Sequence, residues 1–297
     1  MLLTGTVSPV LERSTAPDCS DLANSLIPLR FVLEVDMELN VQGAASAAPF
    51  LGAQDLFETE HDLDRPVEVY VRSNPDERTW TSHYDDHHVL NISEQAATST
   101  MARELARHEL SHMLRHEEGH PSHVQSTEEV LFLALAGQSV EQRTLTHCYQ
   151  IANHMKDIYA DDITLSVGPT NKLVAFFESK LAGALADQPG AAPATPEVRF
   201  DGRREPARRL TAASDTEMTV VNAAFALALL ERHDLVEADH RLYDLAYAAA
   251  RDAPGIELEG FKRRFKDLQD DPDPSDYRKH LVDATRAYAA GSDQAAD

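Results

Sequence analysis

The sequence predicts an α+β protein, a β-rich N-terminal part followed by helices, and three observations carry that reading. Up to about residue 95, short runs alternate apolar and polar side chains between turns marked by Pro and Asp. Beyond residue 96 the apolar residues fall at helical spacing, and several runs open with Ser followed three residues later by Glu or Gln. With 42% hydrophobic residues, a chain of 297 can bury the core of one large domain or of two ordinary ones.

Taken in order, residues 29–39 alternate over much of their length, as a half-buried strand does, and residues 67–71 repeat the pattern. A third strand is expected at 88–92, after a polar turn made of His83, Asp85, Asp86, His87 and His88. The first long helix covers 101–118, with Thr98, Ser99 and Thr100 as hydroxyl caps before it. A short helix over 128–136 is opened by Ser126 and Glu129. A long helix starts near Ser139, with Gln142 completing its capping box, and closes around Asp162; another covers 170–186. Pro, Gly and Ala dominate 187–196, and Ser214 with Glu217 opens a further helical run, broken at 252–255 and 270–274. The expected organisation is therefore a β-rich part (1–95), a helical part (96–186), a linker (187–213), a helical accessory domain (214–290) and a disordered tail (291–297).

His108-Glu109-Leu110-Ser111-His112 reads H-E-x-x-H inside the predicted helix 101–118. At ~3.6 residues per turn, residues four apart stand one above the other on a single face. Two imidazoles so placed can bind one Zn²⁺, each through one ring nitrogen at about 2.1 Å. Glu109 then sits near the metal without being forced to ligate it, and can take a proton from water that the metal activates. The metzincin pattern needs Gly three and His six residues after the second His; Arg115 and Glu118 stand there instead. His116, Glu117, His120 and His123 read as a solvated segment ending the helix at Gly119.

Catalytic zinc has three protein ligands and an open position. On the long helix, Asp157 and Asp161 are four apart and share a face, with His154 one turn earlier. The run Asp157-x-x-Ala160-Asp161 resembles the E-x-x-A-D element of gluzincin metallopeptidases of the membrane-associated CAAX-protease type. The resemblance implies a zincin-like domain and a metallopeptidase acting on a peptide or protein. It makes Asp157 the third ligand of one Zn²⁺, and Asp161 the acid that fixes the tautomer and orientation of a ligating His. Glu109 becomes the catalytic general base. Asp stands here where Glu is usual. Being one methylene shorter, it requires a closer approach of the two helices, or ligation by Asp161 or His154 instead. Analogy with zincins also makes the strand at 88–92 the upper rim of the cleft, pairing with substrate backbone. His154 and Tyr159 are the candidates for an additional oxyanion donor.

Bulk properties exclude other classes. A net charge of −23 with only six lysines resembles haloarchaeal cytoplasmic proteins, whose acidic surfaces stay soluble in molar salt. The same charge argues against nucleic acid, and the cluster Arg203, Arg204, Arg208 and Arg209 is too local to reverse it. No apolar run approaches the ~18 residues a membrane span needs; the best, 220–230, is interrupted by Asn222. Cys19 and Cys148 are too isolated for a disulfide framework, which fits a reducing cytoplasm, and the start of the chain lacks the pattern of a secretion signal. Two alternatives share the motif: a catalytically silent, zinc-stabilised binding or regulatory protein, and a metal hydrolase acting on a bond other than a peptide.

Overall fold

The computed structural model describes residues 39–42, 47–72, 79–138, 140–186 and 215–296. The strand expected over 29–38, Cys19, Ser139, the linker 187–213 with its arginines, and Ser214 lie outside the described residues. In chain order the elements are β1 (Leu39–Gln42), α1 (Ala48–Phe57), β2 (Val67–Arg72), β3 (Trp80–His83), β4 (His88–Ser93), α2 (Glu94–Ala97), α3 (Ala102–Glu117), α4 (Pro121–Val124) and α5 (Thr127–Leu135). They continue with α6 (Gln142–Ser166), α7 (Asn171–Ala186), α8 (Thr216–Arg232), α9 (Arg241–Asp252), α10 (Leu258–Lys266) and α11 (Pro274–Ala296). The chain is α+β and mostly helical. Among the described residues, no helix is long and apolar enough to cross a membrane.

The sheet is mixed, in the order β1-β2-β4-β3. β1 and β4 both run parallel to β2, with Val69 opposite Val41 on one side and Leu90 on the other, while β3 pairs antiparallel with β4. All six residues of β4 are buried, and both of its edges are paired. This corrects the expectation that 88–92 forms the cleft rim. A strand with both edges occupied has no free N–H and C=O row to offer a substrate. Among the described residues β1 and β3 are the outer strands, and it is β3 that meets the motif helix.

Among the described residues, two apolar clusters form. One joins Phe50, Ala53 and Phe57 of α1, Val67 and Val69 of β2, and Leu110, Met113 and Leu114 of α3, and it reaches Ile163 on α6. The other runs from Val130 and Leu131 of α5 through Ile151, Met155 and Ile158 of α6 to α8, α10 and α11. Residues 218–289 therefore share one core with 130–181, which corrects the picture of a separate accessory domain. α8 is buried almost all round, so it has no polar face with which to stand alone. Nor is 291–297 a disordered tail throughout, since α11 continues to Ala296.

Local chemistry explains the helix ends. Ser126 caps α5 by accepting from the Glu129 amide at 3.3 Å. Asp215 caps α8 by accepting from the Met218 amide at 3.1 Å, one residue beyond the expected Ser214. α3 stops at Gly119, whose φ of +67° suits the left-handed C-cap, and the His120 amide closes it on the Arg115 carbonyl at 2.9 Å. α6 runs past Asp162 to Ser166, so Asp157 and Asp161 stand inside the helix rather than against its negative end.

Candidate metal centre

α3 and α6 pack closely where the centre forms. Ser111 on α3 and Thr164 on α6 are both buried, and their hydroxyl oxygens are 2.9 Å apart. One hydroxyl donates across this contact and the other to its own helix, where Ser111 Oγ lies 2.9 Å from the Arg107 carbonyl and Thr164 Oγ1 3.1 Å from the Ala160 carbonyl. Small residues at this crossing provide the close approach that an aspartate, shorter than glutamate, requires.

Three donor atoms converge at the crossing. His108 Nε2 and His112 Nε2 are 3.0 Å apart, and Asp157 Oδ1 lies 3.7 Å from the first and 3.3 Å from the second. Metal–ligand bonds of about 2.0–2.1 Å in a tetrahedron put neighbouring ligand atoms roughly 3.3 Å apart. The three observed separations bracket that value. Asp161 does not join them. Its Oδ1 lies 2.7 Å from His108 Nδ1 on the far side of the ring. A carboxylate only accepts, so Nδ1 keeps its hydrogen, and in the neutral ring it is Nε2 whose lone pair faces the centre. His112 is held in the same way by a residue the sequence reading left in a solvated loop. His123 on α4 places its Nε2 2.7 Å from His112 Nδ1, and its other nitrogen lies 2.7 Å from Ser122 Oγ. Two imidazole lone pairs and a carboxylate oxygen pointing at one spot are a donor set that fits a divalent cation such as zinc.

Burial works against a charge on His108, but Asp161, Asp157 and Glu109 outweigh it and raise the ring's pKa to about 10, so without an ion the ring also carries a proton on Nε2, which a bound cation would displace. Burial likewise opposes ionisation of Asp157, yet the imidazoles of His112, His154 and His108 together keep its carboxyl well below the usual range. Burial, helped by His112, drives the His123 pKa down, so that ring is neutral and can accept from His112.

Glu109 is 7% exposed and lies outside the converging trio. Its Oε2 accepts a short hydrogen bond from Thr81 Oγ1 of β3, which ties the carboxylate to an outer strand of the sheet. His154 is not among the converging atoms either. Its Nε2 meets Asn222 Oδ1 of α8 at 2.7 Å, its Nδ1 is 3.6 Å from the other oxygen of Asp157, and its ring stacks on Phe225. Tyr159 is fully buried against His120 and Tyr277 and does not line the cavity beside the centre.

Two other clusters are differently built. His147, Asp215 and Glu217 also come within metal-sharing distance. There the Arg143 guanidinium already lies between the acids, 2.7 Å from Asp215 and 3.2 Å from Glu217, and supplies the cation. His83 and His88, expected in a turn, stand at the ends of β3 and β4. His83 stacks flat on His116 at 3.9 Å, while His88 reaches Glu117 at 2.9 Å. Burial, reinforced by His116, lowers the His83 pKa to about 3.

No curated protein and no solved structure matches the chain. The family of unknown function DUF5781 matches residues 37–290, most of the sequence, and the chain belongs to that family.

Proposed function

We propose that this protein is a zinc-dependent hydrolase of peptide bonds. The observation that carries the reading is the convergence of His108 Nε2, His112 Nε2 and Asp157 Oδ1, with Asp161 fixing the His108 ring from behind. That is the arrangement the gluzincin resemblance implies, and it arises from two segments about 50 residues apart. A zinc ion held by these three would polarise the scissile carbonyl and make nearby water more acidic. Glu109, next to His108 in the chain, takes the proton of the attacking water and passes it to the departing amine. Thr81 orients the carboxylate for that work. The outer strand β3, rather than β4, is the edge on which a peptide could add as a further strand. The acidic, lysine-poor composition supports a working environment of high salt, in a cytoplasm.

The test is metal content and casein-type proteolysis in high salt, comparing the unaltered chain with Glu109→Gln. One equivalent of zinc in both proteins, with hydrolysis only in the first, supports the reading. Zinc without hydrolysis in the unaltered chain points to the silent, zinc-stabilised alternative.

A further inference from the structure

Beside the converging donors lies a cavity of about 220 Å³. That exceeds the enclosed space that takes one benzene ring, roughly 150 Å³. His108, Asp157 and Asp161 line part of it, and Leu105, Leu173, Phe176, Phe177 and Phe225 make much of the rest apolar. Phe225 comes from α8, so the C-terminal helices complete this wall.

Two charged side chains also line the cavity, and each has unmet hydrogen-bonding capacity. Arg107 is 2% exposed, yet its Nε and Nη1 have no hydrogen-bond partner. Glu104 is 5% exposed; its Oε1 is shared by Lys172 at 3.2 Å and Arg103 at 3.3 Å, while its Oε2 has no partner. Buried guanidinium groups are normally paired, because stripping water from an unpaired charge is costly. The nearby anions are already engaged: Asp161 with His108, Glu104 with Lys172 and Arg103. Gly168 gives the guanidinium its seat, since a Cβ there would come within 1.6 Å of Arg107 Nη1.

We infer that this cavity receives an apolar group bearing a carboxylate, which pairs with the Arg107 guanidinium. Resting on the peptidase reading, the inference specifies the substrate class: peptides with a free, apolar C-terminal residue. The hydroxyl of water then joins the carbonyl carbon of the last peptide bond, and the C–N bond breaks. The amine takes the proton Glu109 carries, and a free apolar amino acid leaves with a peptide one residue shorter.

Binding is tested on the full chain by calorimetry with 3-phenylpropanoate and its uncharged amide. The acid should bind on the order of 10–100-fold more tightly, the range of a charge-assisted hydrogen bond. Arg107→Met should remove that preference, and Glu109→Gln should leave it. Should Arg107→Met fail to fold, Gly168→Ala, whose methyl takes the guanidinium's place, should remove it instead. Equal binding of acid and amide, or a preference that survives these changes, overturns the inference. Hydrolysis is tested with acetyl-Ala-Ala-Phe and its C-terminal amide. Release of phenylalanine at least about tenfold faster (kcat/KM) than of its amide is expected. Equal or faster cleavage of the amide overturns the inference and leaves the peptidase reading intact. Acid-selective binding with no cleavage of either peptide supports the pocket and removes the peptidase reading.

Discussion

His108 Nδ1 lies 2.7 Å from Asp161 Oδ1, and this contact decides which nitrogen of the ring faces Asp157. Because the carboxylate can only accept, the neutral ring is the tautomer whose Nε2 lone pair faces Asp157. Asp161→Ala should therefore weaken zinc binding by roughly 10–100-fold, the usual loss for a residue that orients a ligand. Asp157→Ala should weaken it further, because it removes a converging atom. Chelator competition ranks the two, and the opposite order would exchange their roles.

The bond from Thr81 Oγ1 to Glu109 Oε2 crosses from the sheet to the motif helix. Thr81→Val removes the donor while keeping the shape of the side chain. The carboxylate then loses its orientation, and kcat should fall by about tenfold with zinc retained. Glu109→Gln should lower kcat on the order of 10²–10⁴-fold, the range for a lost general base. Steady-state kinetics with parallel metal analysis separate the two; if Thr81→Val loses zinc, its role lies in the fold of the centre.

His123 and His116 offer a controlled contrast, since both were read as members of one solvated segment. His123 Nε2 lies 2.7 Å from a nitrogen of His112, whereas His116 stacks on His83. His123→Ala should weaken zinc binding roughly tenfold or more, and His116→Ala should leave it nearly unchanged. Equal effects would mean that the His123 contact orients nothing.

What was legible in the sequence is what local spacing encodes. H-E-x-x-H fixes its own geometry once it is helical, and the four-residue interval of Asp157 and Asp161 puts both acids on one face. The polar look of 116–123 hid His123, because turning that ring inward depends on the short helix α4 packing over α3. Thr81 and Phe225 escaped for the same reason: each meets the site through packing between elements distant in sequence. Arg107 stands next to His108 on α3, but no local pattern shows that its buried guanidinium lacks a partner. Strand order is non-local as well, so nothing in residues 88–92 announced that β3 would take the outer place. The accessory domain was misread because a Pro-, Gly- and Ala-rich segment marks a connection. It carries no information about whether the apolar faces on either side of it bury each other, as those of α6 and α8 do.

The helix that carries both acids is itself anchored one residue beyond Asp161. Asp162 accepts from Arg232 Nε at 2.8 Å and Nη2 at 2.9 Å, and lies 2.8 Å from His233 Nε2, at the end of α8. Burial opposes its charge, but the hydrogen bonds and charges of His233 and Arg232 prevail and lower its pKa. A carboxyl whose folded pKa lies below its unfolded value, about 3.9, adds stability that is fully present above that value. The contribution is lost as pH falls through the lower folded value. Asp162→Asn should therefore destabilise the protein at pH 7 by about 1.5 kcal/mol, the low end for a hydrogen bond to a charged group, since Arg232 keeps Asp270 and the Leu268 carbonyl. The gap between variant and unaltered chain should narrow below about pH 4. Denaturant midpoints at pH 7 and pH 3 in the same salt measure it, and a gap that stays constant would show that Asp162 contributes through shape and not through charge.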